Sequence, residues 1–185
     1  MNNQTLHRSI KLVCAAMAAG ALVLGMSACG NSNSSDKVAL LVSTLNNPFF
    51  VDLRDGAQAE AKKLGVELQV SDAQNDSSKQ QDQAQNAQSQ GAKAVIINPV
   101  DSDAAAPPVS PLLSANLPVI SVDRSVTGVE VTSHIASDNV AGGAQAADAL
   151  AKSMGEKGEV LILQGIPGAA STRDRGKGSV SYTHL

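Results

Sequence analysis

Apolar runs alternate with amphipathic stretches along most of the chain. Residues 38–44 form the continuous run VALLVST, which is typical of a strand buried on both faces of a sheet. Apolar residues then recur at spacings of three and four up to Gly65; the positions are Phe50, Leu53, Ala57, Ala61 and Leu64. This spacing predicts an amphipathic helix that ends at Gly65.

The alternation continues downstream. Further apolar runs predict strands at residues 66–70, 94–98, 117–122, 133–136 and 159–164. The Gln-rich stretch from Ser77 to Gln90 has only Ala84 and Ala87 as apolar residues. We interpret it as a weak, mostly exposed helix, with a low-complexity loop as the alternative.

Prolines and polar residues set the starts of two more helices. Residues 101–116 contain three prolines, so a helix there must begin near Pro107 or Pro108, where the first-turn N–H groups have no partner to lose. Asp138 or Asn139 is expected to cap another helix that reaches about Met154. Repeated strand–helix alternation predicts an α/β fold with a doubly wound parallel sheet and right-handed crossovers.

The first 28 residues have the pattern of a signal peptide. Arg8 and Lys11 precede an apolar run of 15 residues, 12–26, which small residues follow. A membrane anchor is the alternative, but the run is shorter than the roughly 20 residues that a spanning helix needs.

Cys29 suggests a lipid anchor. The stretch MSAC, residues 26–29, resembles a bacterial lipobox, in which the cysteine is acylated and becomes the new N-terminus; Met26 stands where Leu is usual. We expect residues 29–36 to be the lipidated Cys29 and a polar, flexible tether. The mature protein is then exported and lipid-anchored on the outer face of the cytoplasmic membrane.

Charge and motifs exclude several functions. The net charge is −3 and no basic stripe is present, which argues against a nucleic-acid partner. The three His are scattered and no Cys/His cluster offers a metal site. No G-x-S-x-G, P-loop or G-x-G-x-x-G motif indicates a catalytic nucleophile or a cofactor. We expect a binding protein without cofactor or metal.

Polar and aromatic residues follow the predicted strands. In a doubly wound sheet, ligands bind outside the carboxyl ends of the strands. The stretch NNPFF, residues 46–50, follows the first strand and contains both Phe of the chain. Asn98 follows the third strand, and Asp123 and Arg124 follow the fourth; the last predicted strand leads to Arg173 and Arg175. All of them are expected at one edge of the sheet.

Each of these groups also has a structural interpretation. Asn46 and Asn47 could start a turn and cap a helix, and Asn98-Pro99 could be an ordinary strand exit. Asp123 and Arg124 could form a solvated ion pair, while the arginines near the end could belong to a charged helix face. The two adjacent phenylalanines have no comparable explanation, because one ring would be exposed on most backbones.

Taken together, these residue types fit a neutral polyol. Asp, Asn and Arg side chains suit adjacent hydroxyls, and aromatic rings suit the C–H faces of a sugar ring. The opposite charges of Asp123 and Arg124 roughly cancel, which argues against a charged ligand.

The same residues carry a family resemblance. The stretches ALLVSTLNNPFFVDLRDGAQAEAKKLG, VIINPVDSDA, LPVISVDR, VTSHIASDNVAGG and LQGIPGAASTRDRGKG resemble the ribose-binding proteins of ABC importers, within the type 1 periplasmic sugar-binding family. The resemblance covers Lys37 to Gly178. It implies two doubly wound lobes that close around a sugar, and an ABC permease that recognises the closed state. We expect a monomer.

The resemblance also assigns roles to the candidate residues. It implies that Asn47 binds sugar hydroxyls and that Phe49 and Phe50 belong to an aromatic sandwich around the ring. The hydrogen-bonding partners from the first lobe would be Asn98, Asp123 and Arg124. From the second lobe Arg175 would reach the sugar, with Arg173 as a neighbour.

The resemblance divides the chain into lobes. The first lobe is expected at 37–137 and the start of a second, incomplete lobe at 138–178, with the first hinge crossing near Ser137-Asp138. Residues 179–185 are unlike the family. Two alternatives of another class are a sugar-responsive regulator of the repressor kind and an exported α/β enzyme. The signal peptide stands where such a regulator needs a DNA-binding domain, and no catalytic set supports the enzyme.

Overall fold

A computed structural model describes residues 36–180 of the chain. The signal peptide, Cys29, nearly all of the tether and residues 181–185 lie outside the described residues. Within them are the strands β1 (Lys37–Val42), β2 (Glu67–Asp72), β3 (Ala94–Ile97), β4 (Val119–Val122) and β5 (Ser133–Ile135). The helices are α1 (Pro48–Leu64), α2 (Ser77–Ser89), α3 (Ala106–Ser114), α4 (Asn139–Ser153) and α5 (Ala170–Ser179). No helix in this part of the chain is both long and apolar enough to cross a membrane.

The five strands form one parallel sheet in the order β2-β1-β3-β4-β5. This confirms the predicted α/β class and the parallel sheet. From β1 the chain moves to β2 on one side, and it then crosses to β3 on the other side of β1. The order of the strands therefore reverses between the carboxyl ends of β1 and β3, which is where open α/β sheets bind their ligands.

Both faces of the sheet are covered at β1, one of its inner strands. Ala39 and Leu41 of β1 belong to a core cluster with α2 and α3, which contribute Ala84, Ala87, Val109 and Leu112. The alternate residues of β1, Leu40 and Val42, point to the opposite face and are buried as well. On α1, Phe50 and Ala61 are the buried residues. This packing explains the continuous apolar run of β1, since neither face meets water.

The predicted helix boundaries at Gly65 and in the proline-rich segment are confirmed. Gly65 ends α1 in the left-handed conformation, with φ of 68°, and its N–H bonds back to the last turn. Helix α3 starts at Ala106 with proline in its first turn, as the prolines required. The Gln-rich stretch is a helix, and Ala84 and Ala87 are buried.

Helix α2 depends on its cap, because few of its residues are apolar. The Asp76 carboxylate accepts hydrogen bonds from the backbone N–H of Ser78 and Lys79 at 2.8 and 3.0 Å. We expect Asp76→Ala to lower the free energy of unfolding by about 1 kcal/mol, the usual cost of losing such a cap. Urea denaturation measures it. Asp82→Ala, at an exposed position in the middle of the same helix, is the control and should change stability by less than about 0.5 kcal/mol.

Helices α4 and α5 pack closely through two glycines. Asp138 caps α4, as predicted, by accepting from the N–H of Ala141 at 2.9 Å. A Cβ at Gly143 would collide with the backbone carbonyl of Arg175, and a Cβ at Gly178 would collide with that of Val140. The two backbones can approach this closely because neither glycine has a side chain.

The prediction of a strand at 159–164 is wrong. None of the described strands pairs with this segment, and Val160, Leu161 and Leu163 are 53%, 84% and 87% exposed. Its apolar pattern has the strand type, but a strand also needs a neighbouring backbone to accept and donate its hydrogen bonds.

Candidate functional site

The stretch NNPFF forms the start of α1 at the carboxyl end of β1. Asn47 has an extended backbone and its side-chain oxygen accepts from the N–H of Phe49 at 3.0 Å, so Asn47 is the N-cap. Pro48 takes the first helical position. Neighbouring helical residues lie about 100° apart, so the two rings diverge: Phe50 is 2% exposed and Phe49 is 54% exposed. Their centroids are 5.2 Å apart in an edge-to-face arrangement.

Asn98 joins three strand ends. The side chain is fully buried, and its Oδ1 accepts from the Ser43 hydroxyl at 2.5 Å and from the Ser43 N–H at 3.3 Å. Its Nδ2 donates to the Val122 carbonyl at 3.1 Å and to Asp123 Oδ2 at 3.4 Å. One amide therefore ties the exits of β1, β3 and β4 together.

Asp123 lies in a tight turn directly after β4. Its φ is 62°, and the N–H of Arg124 donates to the carbonyl of Val122 at 2.7 Å across it. A hydrogen bond between residues two apart with positive φ defines a γ-turn of the rarer, strained form. The N–H of Asp123 donates to the Ile135 carbonyl at 2.9 Å, which holds the turn against β5. This turn places the carboxylate beside Asn98.

One edge of the Arg124 guanidinium is hydrogen-bonded to the protein backbone. Its Nη1 donates to the carbonyls of Pro99 and Val100, both at 3.0 Å, and its Cζ lies 5.5 Å from the ring centroid of Phe50. The Arg124 and Asp123 side chains are 8% and 19% exposed, so the interpretation as a solvated ion pair is wrong. Burial lowers the pKa of the Arg124 guanidinium, and the Asp123 carboxylate opposes that shift.

The other edge of the Arg124 guanidinium is uncommitted. Its Nε is buried and has no hydrogen-bond acceptor among residues 36–180; Asp123 Oδ2 lies 3.7 Å away. A buried guanidinium N–H without an acceptor is costly. The Nε and Nη2 donors of arginine point in parallel and match two oxygens of one ligand. The cluster thus contains a donor pair whose Nε is buried, a carboxylate and an exposed aromatic ring.

The structure brings together most of the predicted site residues. The contacts form a chain: Phe49 contacts Phe50, Phe50 contacts Arg124, Arg124 contacts Asp123, and Asp123 contacts Asn98. Asn47 joins this chain because its side chain caps the N–H of Phe49. Arg175 stands apart, because its side chain is exposed on α5 and no hydrogen bond or ion pair in the described part of the chain links it to the cluster.

Helix α5 is nevertheless held against the exit of β3. The Ser102 hydroxyl oxygen accepts from the N–H of Ala170, the first residue of α5, at 3.2 Å, and the Ser102 N–H donates to the Gly168 carbonyl at 2.8 Å. Arg173 donates to the Pro167 carbonyl at 3.0 Å and pairs with Asp103 at 3.3 Å. Arg173 is therefore engaged in fixing the helix, whereas the exposed Arg175 side chain has no hydrogen bond or ion pair among residues 36–180.

Two residues of the cluster were missed by sequence reasoning. Ser43 follows β1 directly, and a serine at the end of an apolar run is a sequence signal that could have been used. Gln80 is 3% exposed and hydrogen-bonds to the backbone beside Asn98. The spacing of four and seven residues to Ala84 and Ala87 places Gln80 on their face of the helix, and this is a signal that could have identified it.

Residues 38–184 match the family model described as a periplasmic binding protein domain. The chain belongs to the periplasmic binding protein family. It is 50% identical over 158 residues to the ribose import binding protein of Escherichia coli (strain K12), covering 85% of this chain and 53% of the relative. The Bacillus subtilis (strain 168) ribose import binding protein is 46% identical over 151 residues, with 80% and 50% covered.

A solved structure supports this family assignment. The Caulobacter myo-inositol binding protein, bound to myo-inositol, superposes with a TM-score of 0.77 at 40% identity, over 83% of this chain and 52% of that one. The chain thus spans about half the length of the curated relatives it matches. These relatives are named as binding proteins, which confirms the expectation of a binding protein rather than an enzyme.

Proposed function

We propose that this chain carries one side of the sugar site of an ABC importer's solute-binding protein, with ribose as the first ligand to test. The observation that carries the proposal is the edge of the Arg124 guanidinium that has no acceptor and lies beside the Asp123 carboxylate. Both residues follow β4, and the Arg124 side chain reaches the exits of β1 and β3, between which the strand order reverses. The identity of 50% to a ribose import binding protein supports the choice of ribose.

A neutral sugar suits this cluster better than an anion. Asp123 and Arg124 supply one negative and one positive charge, so an anion would meet repulsion from the carboxylate. Two adjacent hydroxyls can accept from the parallel Nε and Nη2 donors of Arg124 and donate to Asp123. The exposed ring of Phe49 offers a flat apolar surface for the C–H groups of the sugar.

The remaining predicted residues receive roles in the same proposal. Asn98 fixes the Asp123 carboxylate through its amide, and Asn47 adds hydroxyl contacts at the start of α1. Arg175 approaches from α5 and contributes from the opposite side of the ligand. Its side chain is exposed and has no described partner to give up.

The proposal also covers the cellular location of the chain and its partners. The chain is exported, acylated at Cys29 and held at the outer face of the cytoplasmic membrane, and it passes the sugar to an ABC permease as a monomer. The lipobox-like MSAC stretch supports the anchor. The import function in the relatives' names supports the permease.

Calorimetric titration of the 185-residue chain with ribose tests the ligand. We expect saturable binding of ribose, weaker binding of myo-inositol and none of ribose 5-phosphate, whose phosphate would face Asp123. Heats no larger than those of buffer dilution for every neutral sugar would refute the proposal. Tighter binding of myo-inositol than of ribose would retain the sugar site and overturn the choice of ribose.

Phe49→Ala tests the stacking surface. The ring is 54% exposed, so its loss should lower the free energy of unfolding by less than about 1 kcal/mol. We expect ribose affinity to fall about tenfold, because an apolar face of the sugar loses its contact. Leu64→Ala is the matched control: Leu64 is 68% exposed at the far end of the same helix, and its loss should leave affinity unchanged. Equal affinities for the two variants would remove Phe49 from the site.

A further inference from the structure

Gln80 is the exception in an otherwise solvent-facing polar helix. It is 3% exposed, whereas the other buried residues of α2 are Ala84 and Ala87. Its Nε2 donates to the Asn98 carbonyl and its Oε1 accepts from the Val100 N–H, both at 2.9 Å. A buried side-chain amide in this position satisfies two backbone groups that would otherwise lack partners.

The two hydrogen bonds span Pro99. They fix the peptide groups on both sides of this proline, and the carbonyls of Pro99 and Val100 are the acceptors for Nη1 of Arg124. The orientation of the guanidinium therefore depends on two carbonyls. Gln80 fixes the peptide group that carries the Pro99 carbonyl, and the Val100 carbonyl follows in the next peptide group. The path runs from α2 through the β3 exit to Arg124 without any contact of Gln80 with the open edge of the guanidinium.

We propose that Gln80 is a positioning residue of the sugar site. It holds the Asn98–Val100 backbone so that Arg124 commits Nη1 to the protein and presents Nε and Nη2 to the ligand. The consequence for sugar affinity rests on the function proposed above, whereas the consequence for the Arg124 side chain does not. The experiment measures sugar affinity and the state of the Arg124 side chain separately.

Gln80→Met and Gln83→Met form a matched pair. Methionine keeps the length of the side chain and removes both hydrogen bonds. Gln83 lies one turn further along α2, is half-buried and donates to a backbone carbonyl at 2.9 Å, but that carbonyl belongs to Asp72 at the end of β2. Gln80→Met loses two buried hydrogen bonds at the β3 exit, and Gln83→Met loses one partly buried hydrogen bond at the end of β2.

Two measurements on the 185-residue chain decide the proposal. The first is ribose affinity by calorimetry, which we expect to fall about tenfold in Gln80→Met and to stay within twofold in Gln83→Met. The second is the hydrogen exchange rate of the Arg124 Nε–H, followed by ¹⁵N NMR without sugar and assigned with Arg124→Lys. We expect this rate to rise about tenfold in Gln80→Met alone. Urea denaturation verifies that both variants are folded.

The outcomes are distinguishable. If the unsubstituted chain binds no ribose, the proposed function fails, and the Nε–H exchange rate alone decides the role of Gln80. If Gln80→Met matches Gln83→Met in both affinity and exchange rate, Gln80 has only a structural role. A faster exchange with unchanged affinity would also overturn the proposal, because the orientation of Arg124 would then not matter to the sugar.

Discussion

Asn98→Leu is expected to lower the free energy of unfolding by about 4 kcal/mol and to abolish ribose binding. Leucine is similar in size, so the change removes hydrogen bonds without opening a large cavity. The Ser43 N–H and hydroxyl, the Val122 carbonyl and the Asp123 carboxylate all lose their bond to this amide. A buried group left without a partner costs about 1–3 kcal/mol. The sum remains near the lower end because the Val122 carbonyl keeps its hydrogen bond from the Arg124 N–H and Asp123 is partly accessible to water.

Asn86→Leu is the control for Asn98→Leu. Asn86 is exposed on α2, so its substitution should change stability by less than about 0.5 kcal/mol. Urea denaturation measures stability in both variants, and calorimetry measures ribose binding where the variant is folded. A loss below about 1 kcal/mol for Asn98→Leu would show that the amide does not tie the three strand ends together.

Gly143→Ala is expected to destabilise the α4–α5 pair by about 3 kcal/mol. The added Cβ would collide with the backbone carbonyl of Arg175, and a backbone atom cannot turn aside as a flexible side chain can. The adjacent residue makes the matched control. A Cβ at Gly142 meets nothing within 4 Å, so Gly142→Ala should stabilise α4 by up to about 1 kcal/mol. Two neighbouring substitutions of the same kind thus have opposite expected signs.

Amide hydrogen exchange is the appropriate measurement for this pair, because the loss is local to residues 139–180. Protection of the α4 and α5 amides should decrease in Gly143→Ala and increase on α4 in Gly142→Ala. Amides of β1 and β3 serve as an internal reference and should exchange as before. The same sign for both substitutions would contradict the close backbone approach. Arg175 moves with α5, so Gly143→Ala should also weaken ribose binding.

Local patterns were sufficient to predict much of the fold. The buried run of β1, the spacing of three and four in α1 and the left-handed Gly65 each depend on residues close in sequence. The positions of NNPFF, Asn98 and Asp123-Arg124 at one edge followed from parallel strands alone. Strand order was not predicted, because nothing in the individual strands states that β1 lies between β2 and β3.

The failures involve partners that are distant in sequence. Residues 159–164 have the apolar pattern of a strand but no described strand beside them. Helical spacing places Gln80 on the face of Ala84 and Ala87, but its role depends on a backbone segment 18–20 residues away. The burial of Arg124 depends on the Pro99 and Val100 carbonyls, which are 25 and 24 residues distant. Sequence patterns identify which residues are unusual more readily than they identify what those residues contact.

The Ser102 hydroxyl accepts a hydrogen bond at the N-terminus of α5, although Ser102 lies outside this helix. Ala169, the residue preceding α5, provides no side-chain cap, and the hydroxyl that accepts from Ala170 comes from 68 residues earlier in the chain. If α5 withdraws from the β3 exit, its first turn must exchange that acceptor for water. The helicity of residues 170–173 therefore reports whether α5 is packed against the β3 exit. Fraying of the first turn of α5 and separation of α5 from the β3 exit are therefore expected to occur together.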